Sequence, residues 1–293
     1  MSVNTEPING VPTTTVRCIC PTAEALVLVI PGNPGVAQLY APFAEHLVAA
    51  SAGRLSVAVA SHAGHAPGHR ASDGFFTLRD QHDHHRAFLA SLPPTSTVHL
   101  VGHSIGAWMV LGLLDALPEA QRGQAFLLFP TIERMAVTPA GRRMSPMFGP
   151  LRRPSVLLSR LIRRLPGRDR VLEGSLLSGV PPEERAVLLE GILQLSPDSL
   201  HNVLQMAGEE METVIDLPEA LLSRHADRLT LYYGSADRWN LPGMARGVQS
   251  RFPGAEVVRC SAGISHAFMF DGSATMAEFV AQRLHSPHAH RIN

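Results

Sequence analysis

The chain has 293 residues, and its 25 basic and 25 acidic side chains give a formal net charge of zero at neutral pH. This balance excludes the basic surface typical of proteins that bind nucleic acid, while a hydrophobic content of 45% allows a sizeable buried core. Three cysteines fit no metal-binding spacing and cannot all pair in disulfides, which favours a reducing compartment. Residues 1–15 lack the apolar region of a signal peptide, and no apolar run approaches the roughly 20 residues that span a bilayer.

Short runs rich in valine, isoleucine and leucine predict buried strands, with helical patterns between them. Nearly continuous apolar strands that alternate with helices are typical of a mostly parallel sheet covered on both faces. Strands are predicted at Ala25–Ile30, Leu55–Ala60, Val98–Val101, Ala125–Phe129, Leu229–Tyr233 and, less apolar, Glu256–Cys260. Helices are predicted at Tyr40–Ala50, Asp80–Ser91, Ala107–Leu117, Pro242–Arg251 and Ser273–Leu284.

The strand pattern stops after residue 131 and resumes near residue 227. The segment between is rich in leucine, arginine and glutamate at helical spacing, which predicts a helical insertion. Because strands resume after it, the insertion is expected to cap the site rather than form a separate tail. We therefore expect a first part of an α/β core at residues 1–131, a helical cap at 132–226 and a second part of the core at 227–293.

A Gly-x-Ser-x-Gly pentapeptide at residues 102–106 follows one predicted strand and precedes a predicted helix. This is the context of a nucleophile elbow, in which a strained turn exposes the serine. Glycines are needed on both sides because larger side chains would collide across the turn. Ser104 is therefore predicted to be a nucleophile, and the alternative is a serine in an ordinary strand-to-helix loop.

An acyl-transfer serine needs a histidine base and an acid that orients it, in the chain order Ser, then Asp or Glu, then His. Asp237 leaves a predicted strand through a small-residue turn, and His266 lies just past the end of the next strand. Both positions fall where loops gather at the carboxyl edge of a parallel sheet. Asp237 and His266 are predicted to complete the triad; Asp216, Asp227 and Asp271 are alternatives for the acid, although none directly follows a strand.

Two backbone N–H groups are predicted to hold the oxyanion. One belongs to Ile105, the residue after the nucleophile, and the other comes from the Pro-Gly-Asn-Pro-Gly loop at residues 31–35. Pro34 has no N–H, which leaves Asn33 or Gly35. Asn33 is favoured because it directly follows the strand-ending glycine. Alternatively, the loop serves only to reverse the chain.

A predicted helix starting near Pro154 gathers five apolar side chains on one face and arginines toward the other, the apolar ones being Leu157, Leu158, Leu161, Ile162 and Leu165. A basic amphipathic helix of this kind can lie at a lipid surface. It can equally be a cap helix whose leucines pack on the core.

Six histidines fall between residues 62 and 85, namely His62, His65, His69, His82, His84 and His85. Their spacing matches no common zinc motif. No metal site is therefore predicted, and the triad chemistry itself needs no cofactor.

Taken together, these motifs resemble the lipid droplet-associated hydrolase family of the α/β-hydrolase superfamily. The resemblance covers about residues 25–280 and is carried by Ile30–Gly35, Tyr40, Phe43, Ser61–His65, Gly102–Ala107, Leu127–Met135, Pro139, Gly141, Tyr233, Gly234, Asp237, Trp239 and Ser265–Phe268. It departs from the family at Asn240, where a cysteine and proline usually follow the tryptophan. That departure touches the loop carrying the predicted acid.

The resemblance implies an α/β-hydrolase fold and a serine hydrolase of lipid esters, with sterol esters as the proposed substrate. It also implies peripheral attachment to lipid droplets or to the cytosolic face of the endoplasmic reticulum, and it places His62 and His65 near the site. Two alternatives stay open: a lipid-storage protein of the droplet surface with little turnover, and an acyltransferase that uses the same serine.

Overall fold

The strands of this computed structural model form one eight-stranded sheet in the order β1-β2-β4-β3-β5-β6-β7-β8. The structure describes residues 1–67, 69, 74–93, 95–167, 174, 177, 180–260 and 262–285. The strands are β1 (Ser2–Ile8), β2 (Val11–Cys18), β3 (Ala25–Ile30), β4 (Leu55–Ala60), β5 (Val98–His103), β6 (Arg122–Leu128), β7 (Leu229–Gly234) and β8 (Glu256–Cys260). From β4 to β8 across the sheet all neighbouring strands are parallel, and only β2 runs antiparallel to β1 and β4.

The α-helices of the described residues are α1 (Ala41–Ala50), α2 (Leu78–Ser91), α3 (Ile105–Ala116), α4 (Pro139–Phe148), α5 (Arg152–Ile162), α6 (Pro182–Gln194), α7 (Pro197–Thr213), α8 (Glu219–His225), α9 (Met244–Arg251) and α10 (Ser273–His285). The predicted helices are confirmed with ends shifted by one or two residues. Helix α2 begins at Leu78, two residues before the predicted start at Asp80. The cause is local, because the Thr77 side chain accepts the N–H of Asp80 and so caps the helix at residue 77. None of the helices formed by the described residues is long and apolar enough to cross a membrane.

All six predicted strands are confirmed, but the hairpin formed by β1 and β2 was not predicted. Its strands are rich in polar residues, and Thr13, Thr14 and Thr15 are buried in the sheet. A signal was present in the turn, where Asn9 and Gly10 both have positive φ. Asn-Gly between two short strands is the preferred two-residue hairpin loop.

Alternate side chains of the central strands enter two separate cores, one on each face of the sheet. In β3, Leu26, Leu28 and Ile30 face one core, whereas Val27 and Val29 face the other. Helices α2, α3, α8 and α9 cover the first face, and α1, α6 and α10 cover the second. Apolar residues on both faces explain why the strands read as continuous apolar runs in the sequence.

The chain leaves the sheet after Leu128 and returns to it at Leu229, and helices α4 to α8 lie between these two points. Within this insertion, Phe148, Val156, Leu204 and Ala207 form a small apolar cluster of their own, which packs α4 and α5 against α7. Helix α8 is instead tied to the core, through the ion pair of Arg224 with Asp115 at the end of α3. The division into two core parts and a cap at 132–226 stays a prediction, although these helices lie within its limits.

Candidate active site

Ser104 lies in the tight turn between β5 and α3. Its φ of 54° and ψ of −122° belong to a conformation that residues with a side chain rarely adopt. The turn is closed so tightly that a Cβ on Gly102 would lie 2.5 Å from the carbonyl oxygen of Gly106. The glycines of the motif are therefore required by space, and the serine side chain is held at the carboxyl edge of the sheet.

His266 and Asp237 reach Ser104 from the loops after β8 and β7. The Oγ atom of Ser104 lies 2.9 Å from Nε2 of His266. On the other side of the ring, Nδ1 lies 3.0 Å from Oδ1 of Asp237. A carboxylate only accepts hydrogen bonds, so Nδ1 carries the proton and Nε2 is left free to accept the serine hydroxyl.

Two further groups fix the buried carboxylate of Asp237. The backbone N–H of Trp239 donates to Oδ1 at 2.8 Å, and the Asn240 side chain donates to Oδ2 at 2.6 Å. The residue that departs from the family pattern is thus a direct partner of the acid. Sequence reasoning assigned no role to Asn240, since a contact across this loop depends on the path of its backbone.

The alternative acids do not bond to His266. Asp227 lies in the turn that enters β7, at the opposite edge of the sheet from Ser104. Asp271 accepts the backbone N–H of Ser265 and so shapes the loop that carries the histidine. Asp216 lies in the connection between α7 and α8.

The Pro-Gly-Asn-Pro-Gly loop lies directly against Ser104, because a Cβ on Gly32 would stand 2.8 Å from Cβ of the serine. The N–H of Gly35 already donates to the carbonyl of Gly32 at 2.6 Å. Among the described residues, the N–H groups of Asn33 and Ile105 have no hydrogen-bond acceptor. Of the two candidates in this loop, Asn33 is therefore the one with a free donor.

The side chain of Asn33 forms hydrogen bonds with the insertion. Its amide nitrogen donates to the carbonyl of Val203 at 3.0 Å and to Oε1 of Glu210 at 2.9 Å, both on α7. Burial raises the pKa of Glu210 to about 8, an effect that the hydrogen bond from Asn33 partly opposes. A neutral carboxylic acid thus joins the insertion to the loop beside Ser104. This contact could not be predicted from the sequence, because its partners are far apart in the chain.

Thr131 was also missed as a site residue. Its buried hydroxyl lies 3.4 Å from Oγ of Ser104, and its N–H donates to the Ser104 carbonyl at 3.3 Å. The residue follows β6 at the same edge of the sheet, which is the signal that could have identified it.

Aromatic rings enclose His266 on several sides. Its ring centroid lies 6.1 Å from that of Phe129 and 6.0 Å from that of Trp239. Phe129 in turn stacks on Phe268, with centroids 5.9 Å apart. Such a wall limits access of water to the hydrogen bonds of His266 and strengthens them.

Five of the six histidines between residues 62 and 85 are buried, His82 being the exception, and His62 and His65 lie beside the same loop. His62 Nδ1 lies 2.7 Å from His85 Nε2, and His65 Nδ1 donates to the carbonyl of Pro34 at 2.9 Å. Burial lowers the pKa of His65 to about 3 and that of His84 to about 4, so these rings are neutral. No cluster of three or more potential ligands within the described ranges is arranged to hold a metal ion.

Helix α5 leaves its apolar face in solvent. Leu157, Leu158, Leu161 and Ile162 are 59%, 56%, 53% and 44% exposed, respectively. Val156 is the buried residue of this helix and packs on α7. The four apolar side chains therefore do not pack on the core in this structure.

A family model described as lipid-droplet associated hydrolase matches residues 23–269 of the chain. A human protein named lipid droplet-associated hydrolase is 31% identical over 276 residues, covering 89% of this chain and 85% of that protein. A Drosophila melanogaster protein of the same name is 30% identical over 272 residues, covering 88% of each.

Solved structures resemble the chain over nearly its whole length. Haloalkane dehalogenase DbeA from Bradyrhizobium elkani has a TM-score of 0.72 at 17% identity, covering 98% of this chain and 99% of that one. An N-formylmaleamic acid deformylase from Pseudomonas putida has a TM-score of 0.66 at 15% identity, covering 96% and 100%. These likenesses confirm the predicted α/β-hydrolase fold.

Proposed function

This chain belongs to the lipid droplet-associated hydrolase family, and we propose that it hydrolyses carboxylic esters of lipids with Ser104 as the nucleophile. The observation that carries the proposal is the pair of hydrogen bonds, 2.9 and 3.0 Å long, that link Ser104 to His266 and His266 to Asp237. They occur at a strained elbow with unpaired backbone donors nearby, which is the arrangement that acyl transfer requires.

In the first half of the proposed reaction, His266 Nε2 accepts the hydroxyl proton as Ser104 Oγ attacks the ester carbonyl carbon. The carbonyl oxygen becomes an oxyanion, which the N–H groups of Asn33 and Ile105 bind. When the intermediate collapses, the bond to the alcohol oxygen breaks, and His266 returns its proton to that oxygen. The alcohol leaves, and the acyl group stays on Ser104.

In the second half, a water molecule takes the place of the alcohol. His266 removes a proton from the water as its oxygen attacks the acyl carbon, and the same donors hold the oxyanion. The bond to Ser104 Oγ then breaks, and the serine recovers its proton from His266. Throughout, Asp237 keeps the proton on Nδ1 and stabilises the imidazolium, and no cofactor enters the proposed scheme.

The exposed face of α5 is the proposed contact with lipid. Leu157, Leu158, Leu161 and Ile162 would enter the surface of a droplet, or of the cytosolic face of the endoplasmic reticulum, while nearby arginines such as Arg153 stay at its polar boundary. Helix α5 packs on α7, which contacts Asn33 beside the site. Binding of the α5 face to lipid would therefore bring a lipid ester toward Ser104. Sterol esters, which the family resemblance suggests, are the substrate to test first.

A fluorophosphonate probe tests the assignment of Ser104, because it reacts with activated serines. We expect labelling of the wild-type protein, none in Ser104→Ala and strong reduction in His266→Ala. Ser250→Ala, which alters an exposed serine on α9, is the matched control and should label as the wild type does. Labelling that survives both Ser104→Ala and His266→Ala would refute the assignment.

A structural role at the droplet surface is the second candidate, and the exposed apolar face of α5 favours it because that face does not involve Ser104. Esters of p-nitrophenol with increasing acyl length, with and without a lipid emulsion, distinguish the two candidates. Turnover lost in Ser104→Ala supports the hydrolase. Absence of turnover at every length, with unchanged emulsion binding by Ser104→Ala, supports the structural role, and acyl capture by an added alcohol in place of water would indicate an acyltransferase.

A further inference from the structure

A chain of buried hydrogen bonds joins the loop after β3 to the loop that carries His266. The backbone N–H of Gly32 donates to the hydroxyl oxygen of Tyr40 at 2.8 Å. That oxygen lies 2.7 Å from Nδ1 of His103, the residue before the nucleophile. On the other side of the ring, Nε2 of His103 lies 2.8 Å from the backbone carbonyl oxygen of His266.

The chemistry of the partners fixes the direction of each bond. The carbonyl of His266 can only accept, so Nε2 of His103 carries a proton. In a neutral ring Nδ1 is then an acceptor, and the Tyr40 hydroxyl donates to it while its oxygen accepts the N–H of Gly32. Burial lowers the pKa of His103 and raises that of Tyr40, so the ring is neutral and the hydroxyl keeps its proton.

His103 takes no part in the proposed proton transfers, yet neighbouring segments of the chain pack closely against its ring. A Cβ on Gly32 would stand 2.7 Å from Nδ1 of His103, so only glycine lets the loop approach the imidazole this closely. The ring also lies 5.1 Å, centroid to centroid, from the rings of both His266 and Phe268. Both His103 and Tyr40 are almost fully buried.

We propose that Tyr40 and His103 are positioning residues that hold the oxyanion loop and His266 in place around Ser104. Their hydrogen bonds reach Gly32, which precedes the proposed donor Asn33, and the main chain of His266 itself. The inference rests on the proposed hydrolysis, in which small displacements of donor or base are costly because reacting groups must be aligned. Neither residue touches the reacting atoms.

Tyr40→Phe removes the hydroxyl and leaves the ring packing in place. Nδ1 of His103 then loses its donor and the N–H of Gly32 loses its acceptor, so this chain of hydrogen bonds no longer holds the imidazole and the loop together. Losing these two buried hydrogen bonds predicts a fall of about tenfold or more in kcat and in the rate of fluorophosphonate labelling, with KM for a p-nitrophenyl ester changed less than twofold.

Tyr232→Phe is the matched control, because Tyr232 on β7 is as deeply buried as Tyr40 but lies outside this hydrogen-bond chain. It should label at the wild-type rate. The inference is overturned if Tyr40→Phe reacts as fast as the wild type, or if the control loses as much activity as Tyr40→Phe.

Two variants at position 103 separate positioning from packing. Glutamine can present an N–H to the His266 carbonyl, whereas phenylalanine fills the space without a donor. We expect His103→Gln to recover part of the labelling rate lost in His103→Phe. Equal rates in two folded variants would mean that only packing matters and would overturn the proposal.

The wild-type protein provides a readout that does not depend on any variant folding. Nitrogen-15 NMR of labelled histidine should show His103 as the neutral tautomer protonated at Nε2 over the pH range of folding. A proton on Nδ1 would contradict the inference even if Ser104 is the nucleophile. Conversely, a wild-type protein that the probe does not label at Ser104 would refute the proposed hydrolysis while the NMR result still decides the tautomer.

Discussion

At the scale of single residues, the site depends on side chains that hold other side chains. Asp237 is oriented by Trp239 and Asn240, and the loop beside Ser104 is held from the insertion through Asn33. The hydrogen-bonded arrangement of Ser104, His266 and Asp237 could be predicted, because chain order and strand ends restrict the members of such a triad to few positions. Its supporting contacts could not, since a hydrogen bond such as that of Asn240 depends on how one loop folds back on itself.

Asn240→Ala should slow the reaction while the protein stays folded. The variant removes the 2.6 Å hydrogen bond to Oδ2 of Asp237, so the carboxylate and the His266 ring can rotate. A hydrogen bond to a charged group contributes about 1.5–3 kcal/mol, which corresponds to a fall in kcat of roughly 10- to 100-fold. Ester turnover checks this, with the exposed Asn4→Ala as control; wild-type turnover in Asn240→Ala would contradict it.

Glu210→Gln should change how stability depends on pH. Burial raises the pKa of Glu210 from 4.5 to about 8, so the folded protein holds a proton that the unfolded chain releases between these values. Its contribution is fully present below about pH 4.5 and is lost as pH rises through about 8. Glutamine retains an oxygen that can accept from Asn33 but does not titrate. The free energy of unfolding of the variant, measured in urea relative to wild type, should therefore increase from pH 5 to 8; a constant difference would contradict the prediction.

At the scale of elements, apolar periodicity predicted the parallel strands and their helices because these segments are buried on both faces. It failed for β1 and β2, whose buried threonines are polar, although Asn9 and Gly10 marked their turn. It also did not decide whether the apolar face of α5 packs on the core or lies at a lipid surface, because an amphipathic pattern does not say what covers that face. The structure leaves that face exposed.

Leu157→Asp combined with Leu161→Asp should release the protein from lipid without unfolding it. Both side chains are more than half exposed, so little packing is lost, whereas each leucine buried in lipid contributes roughly 1.5–3 kcal/mol. Affinity for phospholipid-coated triacylglycerol droplets should fall at least about tenfold in a flotation assay. Gln249→Asp with Ser250→Asp adds the same two charges on α9; equal loss of binding by this control would show that charge alone is responsible.

At the scale of the whole molecule, neutral imidazoles are concentrated in the first half of the fold. Burial lowers the pKa of seven histidines; one of them is His201, and the other six, all before residue 104, are His62, His65, His84, His85, His99 and His103. Among the described residues, Glu210 is the one fully buried carboxyl whose pKa is raised as far as about 8. Its effect on stability therefore changes with pH in the direction opposite to that of the histidines. The sequence showed the histidines but not their burial, which depends on the loops that cover them.

Stability should therefore fall steeply in mild acid. The folded pKa of each ring lies below 6.5, so the unfolded chain binds more protons below that pH, and stability present above about 6.5 is lost as pH falls. One such group changes the free energy of unfolding by at most about 1.4 kcal/mol per pH unit, and several together should exceed this slope. Urea denaturation from pH 5 to 8 measures it, and a flat profile below pH 6.5 would contradict the prediction.

The insertion leaves the sheet after Leu128 and rejoins it at Leu229, whereas Ser104, Asp237 and His266 all lie outside it. The proposed bond-breaking groups and the helices that would meet the substrate are therefore encoded in separate stretches of the gene. Substitutions in the inserted stretch that spare Glu210, which accepts from Asn33, can alter the surface that would meet a substrate without changing these three groups. If the proposed hydrolysis is correct, the substrate range can therefore change in evolution while the reaction type is kept.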